Sequence, residues 1–213
     1  PSIISLVVNS LYNIVDQIFI GWGVGYLGNG ATNVVFPITV LAMAFSFMIG
    51  DGASAYLSLK LGEKKKDEAS KGVANGIIMG AIVSIALFLI GLIFLPQLLN
   101  LFGCTDGLRE YAIGYGRIIV MGLPFFIMGT VLNGSIRADG SPKYAMASVV
   151  TGALLNIVLD PIFIFVFNQG VVGAALATII SQFVTFFMNV LYIKKFKTIE
   201  LTKDKFKFVP KIV

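Results

Sequence analysis

Six long apolar runs, separated by short polar breaks, organise this chain of 213 residues. At about 1.5 Å per residue, a helix made from each run would cross most or all of ~30 Å of hydrocarbon. The runs show neither strand alternation nor a heptad seam. The pattern therefore predicts an all-α, polytopic membrane protein folded as a bundle of six transmembrane helices. The predicted spans are residues 2–20, 33–59, 73–99, 112–136, 145–167 and 172–193.

Polar side chains recur every three or four residues in three of these spans, which places them on one face of each helix. Because a polar stripe that faces lipid is costly, the three stripes are predicted to face one another or a wet cavity. The stripes are Ser2, Ser5, Asn9, Asn13 and Asp16 in the first span, Asn156 and Asp160 in the fifth, and Thr178, Ser181, Gln182, Thr185 and Asn189 in the sixth.

Asp16 and Asp160 are the most informative residues, because a carboxylate inside a membrane span is rare and usually functional. Together with Thr178 they are predicted to lie roughly 6–11 Å below the outer interface, so they could form one site. Pro161 releases a backbone carbonyl beside Asp160. Carboxylates and a free carbonyl can hold a proton or a hard cation such as sodium. The alternative is that these groups only tie helices together by hydrogen bonds.

Composition and charge agree with a bilayer environment. The chain is 57% hydrophobic, has a mean hydropathy of +0.90 and is only 13% charged, about half the share of a soluble domain. Its net charge of +5 does not indicate a nucleic-acid partner, because the basic residues cluster in short breaks. The second break, the fourth break and the tail after residue 193 hold fourteen Lys and Arg residues, against one in the other breaks. This bias predicts a multi-pass protein of the cell membrane with both ends of the chain in the cytoplasm.

Several chemistries are excluded by residue type. The chain has no histidine and a single cysteine, Cys104, so it carries no histidine-based metal site, catalytic triad or internal disulfide. It begins at Pro1 inside an apolar run, with no initiator methionine and no signal-peptide pattern. We therefore expect a fragment whose first span lacks its start.

Five segments of the chain carry a family resemblance: NSLYNIVDQIFIG at 9–21, LKLGEKKK at 59–66, IRADGSPK at 136–143, LNIVLDPIF at 155–163 and GVVGAALAT at 170–178. Through them the chain resembles the N-terminal lobe of the multidrug and toxic compound extrusion (MATE) family along essentially its whole length. The first-span and fifth-span segments are the most specific matches.

The resemblance implies one lobe of a twelve-helix transporter that exports drug-like or other amphipathic compounds by alternating access, driven by protons or sodium. It implies no enzymatic activity and no cofactor besides the coupling ion. Residues 1–193 would be the six-helix lobe, residues 194–213 a basic cytoplasmic inter-lobe segment, and the C-terminal lobe would be missing. The implied cation-coupling residues are Asp16, Asn156, Asp160 and Thr178, with sodium a candidate ligand of Asp16 and Asp160, and the implied substrate-cavity residues are Asn9, Tyr12, Tyr115 and Asn133.

Three other functions stay open at this stage. A lipid-linked oligosaccharide flippase of the same superfamily would need several arginines in its cavity for pyrophosphate, and the spans offer only Arg117. An intramembrane aspartyl protease is suggested by Gly50 and Asp51, but Met48 stands where the protease motif requires glycine. A non-transporting membrane scaffold would leave the polar stripes apart. The resemblance assigns no role to Asp51.

Overall fold

The computed structural model describes residues 2–201, and within this range the side chains of residues 7, 8 and 10–201. This part of the chain is an all-α bundle, so the predicted fold class is confirmed. A π-helical segment, Ile162–Val166, continues the fifth helix, and a single 3₁₀ turn, Ile193–Lys195, follows the sixth. The helices are α1 Ser2–Gly23, α2 Tyr26–Gly62, α3 Lys66–Leu101, α4 Asp106–Ala138, α5 Pro142–Pro161 and α6 Gly170–Tyr192.

Helices α1 to α4 extend beyond the apolar runs from which they were predicted, whereas α5 ends at Pro161 and the rest of its predicted span, 145–167, is mostly π-helical. The first break, predicted at residues 21–32, is wrong in extent because α2 already begins at Tyr26. Glycine, asparagine and lysine residues at helix ends still form the backbone hydrogen bonds of a helix. The end of an apolar run therefore does not mark the end of a helix. The actual turns are short and contain residues with a positive φ, such as Gly25 (φ 80°) and Lys64 (φ 61°). Among the described residues, five helices are long and apolar enough to cross a membrane, and α1 is not one of them.

Helix α4 lies at the centre of the bundle, where it packs against α2, α3, α5 and α6, whereas α1 rests mainly on α5. Small residues allow the close contacts that hold membrane helices together. A Cβ atom on Gly50 of α2 would lie 3.1 Å from Val131 Cα of α4, and one on Gly129 of α4 would lie 3.6 Å from Phe186 Cα of α6. These contacts bring α4 close to both α2 and α6.

The turns α2–α3 and α4–α5 and the residues that follow α6 lie at one end of the bundle, here called the basic end. Lys60 pairs there with Glu63 at 2.9 Å and with Glu68 at 3.0 Å. Hydrogen bonds from Lys60 and Lys65 hold the pKa of Glu63 below its ordinary value. The remaining turns lie at the opposite end. A cytoplasmic location of the basic end stays a prediction.

The segment after α6 folds back onto the basic end. Asp139, in the turn after α4, accepts hydrogen bonds from the backbone amides of Lys197 and Thr198, each at 2.9 Å to one of its oxygens. Ile199 is buried in an apolar cluster with Leu57 and Val73. Part of the predicted inter-lobe segment, 194–213, is thus docked on the bundle, and its residues 202–213 lie outside the described part of the chain.

Candidate functional site

Three helices bring together the four residues that were predicted to couple transport to a cation. Asn156 Nδ2 on α5 donates a hydrogen bond to Asp160 Oδ1 at 3.2 Å and also reaches Thr178 Oγ1 on α6 at 3.5 Å. The carboxyl groups of Asp160 and of Asp16 on α1 lie within hydrogen-bonding range of each other. Asp16 is 7% exposed and Asp160 is fully buried. The acidic cluster, as we call Asp16, Asn156, Asp160 and Thr178, therefore lies inside the bundle.

The acidic cluster has more acceptor atoms than donors. Asp16 Oδ1, Asp160 Oδ2 and Asn156 Oδ1 are buried oxygens without a hydrogen-bond partner. Two ionised carboxylates offer only acceptors, so their close approach requires a proton or a cation between them. Carboxylate and amide oxygens are also the ligands that hard cations prefer. The arrangement can therefore bind a proton, or a cation held by Asp16 and Asp160 with Asn156.

Two further residues connect Asp16 to the neighbouring helix. Gln17 Nε2 donates to Asp16 Oδ2 at 3.5 Å, and Thr32 Oγ1 of α2 donates to Gln17 Oε1 at 3.1 Å. Sequence reasoning missed both residues, because Thr32 was placed in a break and Gln17 lies off the polar stripe of the first span. Asn13, which belongs to that stripe, is instead exposed in a surface groove with Gln17 and Asn29.

A cavity of about 170 Å³ adjoins the acidic cluster. Asn156 and Thr178 belong to both the cluster and the cavity wall, so the two sites share side chains. Aromatic and thioether groups cover part of the wall and amide and hydroxyl groups another part, a lining that suits amphipathic molecules. The described lining residues are Tyr12, Met43, Phe47, Phe125, Phe126, Gly129, Thr130, Asn133, Arg137, Val149, Gly152, Ala153, Asn156, Thr178, Ser181, Gln182 and Thr185.

The four predicted cavity residues have different positions. Tyr12 and Asn133 line the cavity. The amide nitrogen of Asn133 is engaged by Ala145 O at 2.9 Å and Ser148 Oγ at 3.2 Å, so this group ties α4 to α5. Tyr115 is not among the lining residues; it lies near both carboxylates and packs against the apolar cluster that contains Ile164. The side chain of Asn9 lies outside the described residues.

Sequence reasoning also missed lining residues on α4 and α6. Gln182 and Thr185 had been recognised as part of a polar stripe, but no cavity role was assigned to them. Arg137 had been counted only as a basic residue of a break, because the apolar run ends at residue 136. It is the one arginine in the described lining, so the arginine cluster expected of a pyrophosphate-binding flippase is not found among those residues. Arg117 is exposed and lies outside this lining.

The sequence model of the MatE family matches residues 1–162, more than half of the chain. The chain belongs to the MatE family. Multidrug export protein MepA of Staphylococcus aureus MRSA252 is 31% identical over 199 residues, which are 92% of this chain and 43% of MepA. MepA of Staphylococcus saprophyticus is 30% identical over 200 residues, 90% of this chain and 43% of its own length. This MatE chain therefore spans less than half the length of these curated relatives.

Solved MATE structures share the fold. A MATE protein in the bent conformation has a TM-score of 0.91 at 30% identity, covering 98% of this chain and 47% of the other. A MOP-superfamily transporter of Pyrococcus furiosus, described by the reverse polarity of its binding pocket, has a TM-score of 0.91 at 31% identity, covering 98% and 46%. The predicted match to the N-terminal lobe of MATE proteins is confirmed, and the long apolar helices and these relatives support a multi-pass membrane protein.

Proposed function

We propose that the complete protein exports drug-like or other amphipathic compounds from the cell in exchange for inward-moving protons or sodium ions. The names of its relatives, multidrug export proteins, support the substrate class. The acidic cluster is the observation that supports coupling to a cation. Asp16 and Asp160 are buried side by side, with oxygens that lack donors, next to a cavity of suitable lining.

The shared wall gives substrate and cation a common set of side chains. Asn156 and Thr178 line the cavity, and the amide of Asn156 reaches both Thr178 Oγ1 and Asp160 Oδ1. A proton or sodium ion at Asp160 draws on the same amide and hydroxyl groups that a compound in the cavity contacts. Occupancy of one site therefore changes the affinity of the other, which is the requirement for exchange.

Helix α1 is the element through which the acidic cluster can act on the cavity. Tyr12 lies one helical turn before Asp16 on the same face and is part of the cavity wall. When both carboxylates are ionised they repel each other, and binding of a cation removes that repulsion. Because α1 rests mainly on α5, a change in the distance between Asp16 and Asp160 would move Tyr12. We propose that α1 bends or repacks on cation binding, shrinks the cavity and releases the compound outward.

A π-helical segment begins just beyond Asp160 and contacts α1. Pro161 has no amide hydrogen, and the helix widens from Ile162 to Val166 directly after it. Pro37, Pro96 and Pro124 also lie inside helices, yet none of these helices ends or widens at its proline. Irregular backbone therefore coincides with the acidic cluster. Alternating access would combine this local change with rocking against a second lobe.

The test is efflux in inverted membrane vesicles that contain the full-length protein, with proton and sodium gradients imposed separately. We expect one of the gradients to drive accumulation of a fluorescent lipophilic cation, and Asp160→Asn to abolish it at unchanged expression. Asp106→Asn, which alters an exposed carboxylate in the first turn of α4, is the matched control and should behave as wild type. Unchanged efflux by Asp160→Asn, or efflux independent of both gradients, would contradict the proposal.

A further inference from the structure

A charge pair lies where the cavity approaches the basic end of the bundle. Arg137, in the last turn of α4, lines the cavity. Its Nη2 atom lies 3.9 Å from Oδ1 of Asp51 on α2. The side chain of Asp51 is 68% exposed and that of Arg137 is 38% exposed. The proposed coupling mechanism uses neither residue.

The backbone contact between α2 and α4 determines the position of this pair. A Cβ atom on Gly134 would lie 2.9 Å from Ser54 Oγ and 3.1 Å from the carbonyl oxygen of Gly50. Asp51 directly follows Gly50, and Arg137 lies one helical turn after Gly134. The two charged side chains are therefore brought together by a glycine contact that fixes the helix crossing.

Arg137 is the single charged residue in the described lining of the cavity. Without a counter-charge, its guanidinium group would give the cavity a positive potential, because fields in a cleft with low-dielectric walls are poorly screened. Such a potential repels lipophilic cations and attracts anions. Asp51, whose Oδ1 lies 3.9 Å from the guanidinium group, offsets this charge.

We infer that Asp51 sets the charge selectivity of the cavity by neutralising Arg137. With the pair intact, the cavity accepts cationic and neutral amphiphiles. With Arg137 unpaired, the same cavity favours anionic amphiphiles of equal size and shape. The inference rests on the proposed function in taking the cavity as a substrate site, and it adds a specificity-determining pair that lies apart from the acidic cluster.

The test compares two probes of the same shape and opposite charge, tetraphenylphosphonium and tetraphenylborate. Their equilibrium dissociation constants are measured for the full-length protein in lipid nanodiscs, with empty nanodiscs as background. Asp51→Asn should raise the ratio of the cation Kd to the anion Kd about fivefold, and Arg137→Gln should lower it about fivefold. The double variant should return to within about twofold of wild type, because the pair acts as a unit.

Two control variants separate this effect from a general change of surface charge. Asp106→Asn and Arg117→Gln alter exposed charges on α4 that lie outside the described cavity lining, so neither should change the ratio. If Asp51→Asn and Arg137→Gln leave the ratio unchanged, or shift it in the same direction, the inference is overturned.

If a single variant binds neither probe, a variant in which the two charges are exchanged still tests the inference. The combined variant Asp51→Arg and Arg137→Asp keeps opposite charges at the two positions, so the pair should again be neutralised and the ratio should stay within about twofold of wild type. A shift of more than about twofold in either direction overturns the inference. Binding of this kind needs no ion gradient. Failure of gradient-driven efflux would therefore count against the proposed function without altering the binding result.

Discussion

Asp139 and Asp160 are both buried carboxylates, 1% and 0% exposed, but their hydrogen-bond partners differ. Asp139 accepts bonds from the hydroxyl of Tyr192 at 2.8 Å, from the amides of Lys197 and Thr198, and from the Thr198 hydroxyl at 2.5 Å. Asp160 receives one bond from Asn156 and has an oxygen without a donor. The two residues therefore do not differ in burial, but they differ in the number of hydrogen-bond donors around each carboxylate.

This difference indicates different roles for the two regions. Around Asp139 the carboxylate accepts bonds from partly buried backbone amides, so its main effect is on folding. Around Asp160 the donors are too few for the acceptors, so the site remains able to bind a proton or cation. Substitutions should therefore affect stability in one region and transport in the other.

Asp139→Ala should have the largest effect on stability. It removes the acceptor of two backbone amides and two hydroxyl groups, and we expect a loss of about 3–5 kcal/mol in the free energy of unfolding. Unfolding of the purified protein in detergent measures this loss. Hydrogen exchange at the amides of Lys197 and Thr198 should increase in parallel. Unchanged stability and exchange would show that Asp139 does not anchor the segment after α6.

Tyr192→Phe should have a smaller effect in the same region. It removes one donor from Asp139 but leaves the two amides bound, so a loss of about 1–2 kcal/mol is expected in the same unfolding measurement. Tyr144→Phe is the matched control, because the Tyr144 hydroxyl donates to a neutral acceptor, Met188 O, at 2.7 Å. If Tyr144→Phe is the more harmful of the two, the charged acceptor contributes no extra stability.

Asp160→Asn should change the free energy of unfolding by no more than about 1 kcal/mol, in either direction. The asparagine keeps the shape of the side chain and supplies a donor for the neighbouring Asp16 carboxylate, so no buried group loses its partner. Coupled efflux should nevertheless be lost, since the neutral side chain cannot take up a proton. A destabilisation as large as that of Asp139→Ala would remove the contrast between the two regions.

Thr178→Val should have the smallest effect on stability, below about 0.5 kcal/mol, because its contact with Asn156 is long at 3.5 Å. The expected change is in transport: the cation concentration at half-maximal efflux should rise about threefold, since one polar group of the acidic cluster is lost. Thr178→Ser keeps the hydroxyl group and serves as the control. Equal behaviour of the two variants would exclude the hydroxyl from cation coupling.

The fold and the acidic cluster could be predicted because both depend on local periodicity. Apolar runs of sufficient length specify membrane helices, and residues four apart, such as Asn156 and Asp160, must share a helix face. Because burying the carboxylates of Asp16 and Asp160 in lipid is costly, both were predicted to share one polar environment. Helix ends were predicted poorly, since residues 26–32 are helical although their composition is typical of a loop.

The roles of Asp139, Asn133 and Arg137 depend on contacts between distant segments and could not be read from periodicity. Asp139 meets its partners 53 to 59 residues further along the chain. The side-chain amide of Asn133 donates a hydrogen bond to Ala145 O on α5. Arg137 reaches the cavity only because α4 extends past the apolar run. In each case the helix packing, rather than the neighbouring sequence, decides what the side chain contacts.

The bonds to Asp139 also determine how mechanical load enters the molecule. Lys197 and Thr198 follow α6 in sequence, but they are fastened to the turn that ends α4. Tension applied to the chain beyond Leu201 would therefore be delivered to α4, the most extensively packed helix, before it could unravel the last turn of α6. Under such tension the lobe would resist as a single unit, and its last helix would not detach first.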